Sequence, residues 1–341
     1  MTEMKPAHET SEAESCGWPI TLEEVLAAEK RIRPHLPPTP LRSYGPLNDA
    51  LGMHVLVKHE HHQPTNAFKV RNGLSVITAM TPSERARGVV AASMGNYGLG
   101  LAWAGHRLGV GVTICVPTGV NSDKLTGIRD LGAELMVEGS DFDEATEIME
   151  RLVRDRGLYP AHGVNHPQVL AGAGTMTLEI LEQATSMGVK LDAMVLGIGG
   201  GSQAVGAMTM LRGRGTEVRV HGVQAQGAPT IHDAWQRRKP CTGPPPQTFA
   251  EGLATRQTYP LTFDALCAGL AGFHLVDDTA LADAMRLIWR TSHQFVEPAG
   301  AAGIAALSVL RRELAGQTVG VALTGANVDL ATLRRVVDEA I

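Results

Sequence analysis

The segment QPTNAFKVRNG (63–73) contains a lysine in a setting where its amine could act as a nucleophile. Lys69 lies near the start of a predicted helix, between the apolar residues Phe68 and Val70. Partial burial and the nearby helix N-terminus both disfavour the ammonium form, and Schiff-base chemistry requires a neutral amine. Taken alone, a solvated lysine beside an N-terminal turn is the simpler interpretation.

Two further turns carry polar side chains at the ends of apolar strands. SMGNYG (93–98) leads into a helix, whose first backbone N–H groups bind anions well, and Ser93 and Asn96 add side-chain hydrogen bonds. LTGANVD (323–329) places the Thr324 hydroxyl at the end of the last strand. Ordinary helix caps explain both turns equally well.

A glycine-rich turn, GIGGGSQAVG (197–206), gives a stronger signal for phosphate binding. Three adjacent glycines let the backbone wrap closely around a phosphate, although they cost stability at a helix start. No GK[ST] follows, so the turn is not a P-loop. Ser202 occupies the third glycine position of a dinucleotide fingerprint, so that motif is absent as well. A purely structural glycine turn remains the alternative.

These turns connect strand and helix patterns that alternate along the chain. Such alternation with continuous apolar strands predicts a parallel sheet covered on both faces, with ligands beyond the carboxyl ends of the strands. The stretch 225–262 is rich in glycine and proline and is predicted to cover or line a site. The predicted strands are 53–60, 88–93, 111–117, 133–138, 193–198, 218–224 and 318–324. The main predicted helices are 68–80, 96–108, 122–131, 141–155, 168–187, 278–293 and 299–313.

Composition excludes several classes of partner. The 341 residues carry a net charge of −5 and no dense Lys/Arg block, which argues against nucleic-acid and membrane-surface binding. No uninterrupted apolar stretch reaches about 18 residues, so no membrane span is predicted. Residues 1–18 are polar and are predicted to be disordered, without a leader pattern. The four cysteines show no metal-ligand spacing and a chain of this size needs no disulfides, which favours the cytoplasm.

Taken in their order along the chain, the turns resemble motifs of the β-family, or fold type II, of pyridoxal-phosphate (PLP) enzymes. Within that family they resemble the group of threonine and serine dehydratases and serine racemases. The family pattern is roughly TGSFKxRGA, SxGNHxxG, GGGGxxxG, EPxGA and SGxN. This chain has TNAFKVRNG, SMGNYGLG, GGGSQAVG, EPAGA (297–301) and TGAN. Each motif alone is a weak signal for the family. Five of them in the same order, from about residue 20 to the end, make the resemblance specific.

The resemblance implies an α/β fold of two lobes similar to the tryptophan synthase β subunit. Each lobe would hold a mostly parallel open sheet with helices on both faces. Residues 19–87 and 161–341 would form a large PLP-binding domain. Residues 88–160 would form a small mobile domain that binds the substrate carboxylate.

The same resemblance assigns roles to individual residues. Lys69 matches the lysine that holds PLP as a Schiff base and takes the substrate α-proton. Thr324 matches the residue facing the pyridine nitrogen. Unlike a carboxylate, a hydroxyl there need not protonate the ring, so the cofactor withdraws electrons less strongly. That suits elimination of a β-substituent better than prolonged carbanion chemistry. The implied cofactor contacts are Phe68, Lys69, Asn96, Gly199, Gly200, Gly201, Ser202, Gln203, Glu297 and Thr324. The implied substrate contacts are Ser93, Met94, Gly95, Asn96 and Tyr97.

The chain departs from the family pattern near the predicted substrate. Asn66 and Ala67 replace the usual Gly-Ser, and Tyr97 replaces the common histidine. Met94 stands where racemases of this group have a serine that protonates the opposite face of Cα. A thioether cannot transfer that proton, so racemisation is not expected.

Two segments bear on metal binding, and we predict no metal site. Many relatives bind a divalent cation through acidic residues, but Gln224 and Thr230 occupy those positions here and leave a hard cation little to bind. KHEHHQ (58–63) is histidine-dense, which suggests a metal tract. In a strand, however, His62 would point away from His59 and His61, so we interpret the tract as a polar strand end.

These inferences predict a PLP-dependent lyase, a dehydratase or ammonia-lyase of amino-acid catabolism. It would convert a β-hydroxy-α-amino acid such as L-threonine or L-serine to a 2-oxo acid and ammonia. The departures also allow 3-hydroxyaspartate, phenylserine or a hydroxyectoine-derived substrate. The alternatives are a β-replacement synthase of the cysteine or tryptophan synthase type and, in a different class, a non-catalytic protein that binds a phosphate-bearing ligand. A homodimer or higher homo-oligomer is expected.

Overall fold

Two mostly parallel sheets form the framework of the protein. The computed structural model describes residues 18–118, 122–140 and 142–341, so the predicted disorder of the N-terminus falls almost wholly outside the described residues. The strands are β1 Leu41–Arg42, β2 His54–Lys58, β3 Val89–Ala92, β4 Val112–Val116, β5 Glu134–Val137, β6 Tyr159–Pro160, β7 Ala193–Gly197, β8 Arg219–Ala225, β9 Gly272–Val276 and β10 Thr318–Ala322.

The larger sheet has the strand order β1-β2-β10-β7-β8-β9, and the smaller sheet has the order β5-β4-β3-β6. All neighbouring strands run parallel except β1 and β2. The two-sheet α/β architecture that the resemblance implied is therefore confirmed. That the part containing the smaller sheet moves as a separate domain stays a prediction.

Fourteen α-helices lie between and around these strands in the described ranges. They are α1 Leu22–Ile32, α2 Gly45–Leu51, α3 Lys69–Ala79, α4 Pro82–Arg87, α5 Asn96–Leu108, α6 Ser122–Asp130, α7 Phe142–Arg156, α8 Pro167–Ser186, α9 Ser202–Gly213, α10 Thr230–Arg237, α11 Pro260–Gly269, α12 Asp278–Ser292, α13 Ala302–Val309 and α14 Leu330–Val337. Short 3-10 helices span Glu60–His62, Glu251–Leu253 and Pro298–Ala301. Within the described part of the chain, no helix has both the length and the apolar character needed to cross a bilayer.

Strand β7 shows how the larger sheet is covered on both faces. Met194 and Leu196 pack into one hydrophobic cluster with helices α8 and α9. Ala193 and Val195 face the opposite side and pack into a second cluster with α12 and α13. This alternation leaves β7 with no polar face and explains its continuous apolar sequence.

The structure corrects two of the predicted segments. The glycine- and proline-rich stretch 225–262, for which no element was predicted, contains α10, the 3-10 helix Glu251–Leu253 and the start of α11. The strand predicted over 53–60 ends at Lys58, and the 3-10 helix Glu60–His62 follows it. The strand-based expectation for the three histidine side chains was therefore wrong, and their arrangement is described below.

Two glycines allow the helix that begins with Lys69 to lie very close to α5. A Cβ atom at Gly73 would be 2.6 Å from the carbonyl oxygen of Gly100, and one at Gly100 would be 2.7 Å from the carbonyl oxygen of Lys69. No larger side chain fits at either position, because real Cβ atoms do not approach backbone this closely. The sequence thus brings the start of α3 next to the helix that follows the SMGNYG turn.

Candidate active site

Lys69 lies where the start of α3 meets the turns that follow β7 and β10. Its Nζ atom donates a 3.4 Å hydrogen bond to Ser202 Oγ and is 4.9 Å from the centroid of the Phe68 ring. The backbone N–H of Phe68 donates to the carbonyl oxygen of Thr324 at 2.9 Å. The lysine is thereby held between the glycine turn that follows β7 and the turn that follows β10.

Burial lowers the pKa of Lys69 from its ordinary value to about 8. No carboxylate is among the causes of this shift, since desolvation disfavours the charged amine on its own. A large share of the lysine is therefore a neutral amine near pH 8, the form that attacks a carbonyl carbon.

The resemblance implies PLP as the cofactor, and this pKa then predicts how the cofactor-free protein takes it up. The uptake rate should rise about tenfold per pH unit below the lysine pKa and level off above it, because only the neutral amine reacts. The test is to follow the visible absorbance of the bound cofactor at several pH values. Nα-acetyl-lysine in the same buffers is the control, and a protein profile that keeps rising to the ordinary lysine pKa of 10.5 would contradict the prediction.

The glycine turn after β7 is shaped by close contacts that exclude side chains. A Cβ atom at Gly199 would lie 2.3 Å from the carbonyl oxygen of Gly252, and one at Gly200 would lie 2.2 Å from Val164 Cγ2. Gly201 has a φ of +93°, a left-handed conformation that other residues rarely adopt. Only glycines satisfy all three positions.

The start of α9 offers donors to an anion in this turn. Ser202 and Gln203 are both buried there, and Gln203 Nε2 has no hydrogen-bond partner among the described residues. A buried amide donor without an acceptor is unusual and indicates a ligand that accepts the bond. Together with the first N–H groups of the helix, it fits the phosphate group of PLP.

Replacing Gly199 by alanine should weaken PLP binding by roughly 10- to 100-fold, since the added methyl group forces the turn away from Gly252. Equilibrium dialysis of PLP against the cofactor-free protein measures the effect. The matched control is Gly111→Ala, because a Cβ atom there meets nothing within 4 Å. Equal dissociation constants for the two variants would contradict the prediction.

Asn96 is joined to two residues from distant motifs. Its Nδ2 donates to Glu297 Oε1 at 2.7 Å, and its Oδ1 accepts from Asn327 Nδ2 at 2.6 Å. Gly325 packs against this group, because its Cβ atom would lie 2.4 Å from Glu297 Oε1. The SMGNYG, EPAGA and TGAN motifs therefore meet in one place.

Asn327 is a member of this group that the sequence reasoning missed. It is the asparagine of the TGAN motif, which was used for the resemblance but given no role. Its Nδ2 also donates to the Thr65 carbonyl, and Asn66 Nδ2 contacts its Oδ1 at 3.4 Å. Asn66, one of the departures from the family pattern, has a φ of 52° and lies beside this asparagine pair.

The predicted substrate loop is built around Ser93. Its Oγ accepts hydrogen bonds from the N–H groups of Gly98 at 2.9 Å and Gly95 at 3.4 Å, which leaves its own O–H to donate. Met94 is 41% exposed and forms the open side of the loop. Tyr97 is buried, and its hydroxyl donates to the Ala161 carbonyl. That Tyr97 also contacts the substrate stays a prediction.

A buried ion network supports the helix that carries Lys69. The Arg71 guanidinium donates to both oxygens of Glu60 at 2.7 and 2.8 Å and to both oxygens of Glu179 at 2.8 Å. Lys58 Nζ donates to Glu179 Oε2 at 2.7 Å. Burial alone would raise the pKa of Glu60, but the charge and hydrogen bonds of Arg71 overcome it and hold this pKa at about 2. The positive charges of Arg71 and Lys58 thus balance the negative charges of Glu60 and Glu179.

The two positions that correspond to acidic cation ligands in the resemblance hold neutral side chains here. Gln224 is buried, and its Oε1 accepts a 3.0 Å hydrogen bond from the backbone N–H of His232. Thr230 begins α10. The absence of a hard-cation site at these two positions stays a prediction.

Comparison with known proteins decides the family. Residues 32–325 match the protein family described as pyridoxal-phosphate dependent enzyme. The chain belongs to this family. PLP is therefore its cofactor, as the resemblance predicted, and Lys69 with the glycine turn is the part of the structure that fits it.

Members with curated names extend this similarity over most of the chain. An L-threonine ammonia-lyase of Thermotoga maritima is 31% identical over 322 residues, which cover 94% of this chain and 79% of that protein. An L-threonine ammonia-lyase of Geobacter sulfurreducens is 32% identical over 324 residues, covering 95% and 79%.

Solved structures share the fold at similar coverage. A threonine deaminase of T.th. aligns with a TM-score of 0.86 at 32% identity and covers 91% of this chain and 99% of its own. Maize serine racemase aligns with a TM-score of 0.87 at 25% identity, covering 95% and 98%.

Proposed function

We propose that this protein is a lyase that converts L-threonine or L-serine to the corresponding 2-oxo acid and ammonia. The observation that carries the proposal is the position of Lys69, whose amine contacts Ser202 of the glycine turn and has its pKa lowered to about 8, next to Phe68, which bonds to Thr324. Relatives named L-threonine ammonia-lyase, similar over 94–95% of the chain, support the same reaction.

Different residues of the site would bind different parts of the cofactor. Lys69 Nζ would bind it covalently, and the phosphate would lie against the N–H groups of Gly199–Ser202 with Gln203 Nε2 as an added donor. Asn96 and Thr324 would bind the ring through their side chains. When bound, PLP supplies an electron sink for the negative charge that develops at the substrate Cα.

The protein groups would move the protons. Ser93 Oγ–H and the N–H groups at the start of α5 would hold the substrate carboxylate and so fix the direction of the Cα–H bond. Lys69 in its neutral form would take the α-proton on one face. The β-hydroxyl then leaves as water, and water returns when ammonia is released, so threonine yields one 2-oxobutanoate and one ammonia.

Racemisation and β-replacement are the two alternative reactions for such a site. Serine racemases share the fold, but racemisation needs a second proton donor on the opposite face of Cα, and the thioether of Met94 cannot supply one. A β-replacement synthase would use the same glycine turn and lysine, and would differ in requiring a second nucleophile.

The test is to incubate the holoenzyme with L-threonine alone and measure ammonia and 2-oxobutanoate. We expect both products in equal amounts without any added nucleophile. Turnover that begins only when sulfide or another nucleophile is added would assign a β-replacement synthase instead. Including 3-hydroxyaspartate and phenylserine shows whether the departures at Asn66 and Ala67 favour another β-hydroxy amino acid.

We further propose that the protein works as a homo-oligomer in the cytoplasm, in amino-acid catabolism. The stacked rings of Trp289 and Phe295, 4.3 Å apart, are 44% and 49% exposed in the single chain, and exposed apolar pairs of this kind are typical of interfaces. Light scattering on the purified holoenzyme is expected to give a mass of at least two chains.

A further inference from the structure

Three histidine rings converge just after β2. The backbone N–H of His62 donates to the carbonyl oxygen of His59 at 3.1 Å, so the chain turns as a 3-10 helix, in which residues three apart lie on the same side. The ring centroids of His59 and His62 are 5.0 Å apart, and those of His61 and His62 are 4.2 Å apart. One ring nitrogen from each histidine lies within 4.8 Å of the other two.

Gln294 fixes the protons on two of these rings. Its Nε2 donates to the Ser292 carbonyl, which directs its Oε1 toward the histidines. That oxygen lies 2.9 Å from His61 Nε2 and 2.8 Å from His62 Nε2. Because a carbonyl oxygen only accepts, both rings carry their proton on Nε2, and a neutral ring then has its lone pair on Nδ1.

Two ring nitrogens of the cluster are buried without a partner. His59 is 1% exposed and His61 is 7% exposed, and Nδ1 of each has no hydrogen-bond partner among the described residues. His59 Nε2 is already 3.0 Å from the Tyr44 hydroxyl.

We propose that His59, His61 and His62 form a binding site for one Zn²⁺ ion, separate from the PLP site. Imidazole suits zinc and other late transition metals, and the absence of a carboxylate in the described cluster excludes a preference for hard cations such as Mg²⁺. Three histidines with an open fourth position are a familiar zinc arrangement. Tetrahedral ligation requires the three nitrogens to lie about 3.3 Å apart, so binding of the ion would draw them together from the 4.8 Å within which they lie here.

The surroundings already resemble the outer shell of a metal site. Metal-binding histidines usually donate their second N–H to a carbonyl or similar acceptor, which Gln294 Oε1 offers to His61 and His62. The ion would tie the turn after β2 to the segment that follows α12, where Gln294 lies. The backbone N–H of His61 donates to the carbonyl oxygen of Leu323 at 2.9 Å, so the ion would also stabilise the residue before Thr324.

Cobalt(II) is the probe for this site, because it replaces zinc and absorbs visible light in tetrahedral sites. The full-length holoenzyme, prepared without a histidine tag and treated with a chelator, is titrated with Co²⁺. We expect visible bands that saturate at one Co²⁺ per chain and that Zn²⁺ abolishes. The absence of any Co²⁺ band would overturn the proposal.

The assignment to these residues is tested with His62→Ala, which removes an exposed side chain. The matched control is His106→Ala, an exposed histidine on α5. We expect His62→Ala to lower Co²⁺ affinity by about 100-fold or more and the control to leave it unchanged. Equal Co²⁺ binding by His62→Ala and wild type would overturn the proposal. Neither result depends on the proposed lyase reaction, because the readout is metal binding.

Discussion

Lys69→Ala should lower the rate of 2-oxo acid formation from L-threonine by about 10⁴-fold, because the variant loses the group that both holds PLP and takes the α-proton. It should also lose the visible absorbance of covalently bound cofactor. The fold should survive, since within the described part of the chain the Lys69 amine has one hydrogen bond, of 3.4 Å, and one ring contact. Steady-state kinetics and circular dichroism measure the two effects separately.

Lys190→Ala is the matched control for this prediction, because Lys190 is an exposed lysine away from the cofactor motifs. It should retain wild-type activity and colour. A Lys69→Ala variant that still bound PLP covalently and kept full turnover would contradict the assigned role of this lysine.

Arg71→Ala should lower the free energy of unfolding by about 3–5 kcal/mol. Arg71, Glu60 and Glu179 have side chains that are at most 4% exposed, so removal of the guanidinium leaves two carboxylates buried without their main partner. Lys58 would still donate its hydrogen bond to Glu179. Urea unfolding followed by circular dichroism measures the loss.

The control for the ion network is Arg156→Ala. Arg156 pairs with Glu134 at 3.1 Å, but both side chains are about half exposed, at 47% and 49%. Solvent screens such a pair, and the expected change is at most about 1 kcal/mol. If Arg71→Ala were no more destabilising than Arg156→Ala, the network would not anchor α3 as described.

The parts of the fold that the sequence predicted well have local signals. Thr21 and Glu24 have the spacing of a capping box, which forms at the start of α1, and α5 has the predicted bounds of Asn96 and Leu108. The glycine turn was also visible, because close backbone approach leaves a run of glycines in the sequence. The family match then confirmed PLP as the cofactor.

The parts that were missed depend on contacts between distant residues. Glu179 meets Arg71 although 108 positions separate them, and no local pattern predicts which charges pair in a core. The histidine cluster was missed for a different reason. Side chains alternate in a strand, so placing the end of β2 two residues too late directed His62 away from its neighbours.

A single reaction with L-serine tests the proposed function most directly, because structures of both threonine deaminases and serine racemases resemble this one. The holoenzyme is incubated with L-serine, and pyruvate, ammonia and both serine enantiomers are measured in the same sample. We predict equal amounts of pyruvate and ammonia and no D-serine, since Lys69 acts on one face and Met94 supplies no proton on the other. Accumulation of D-serine without pyruvate would contradict this account.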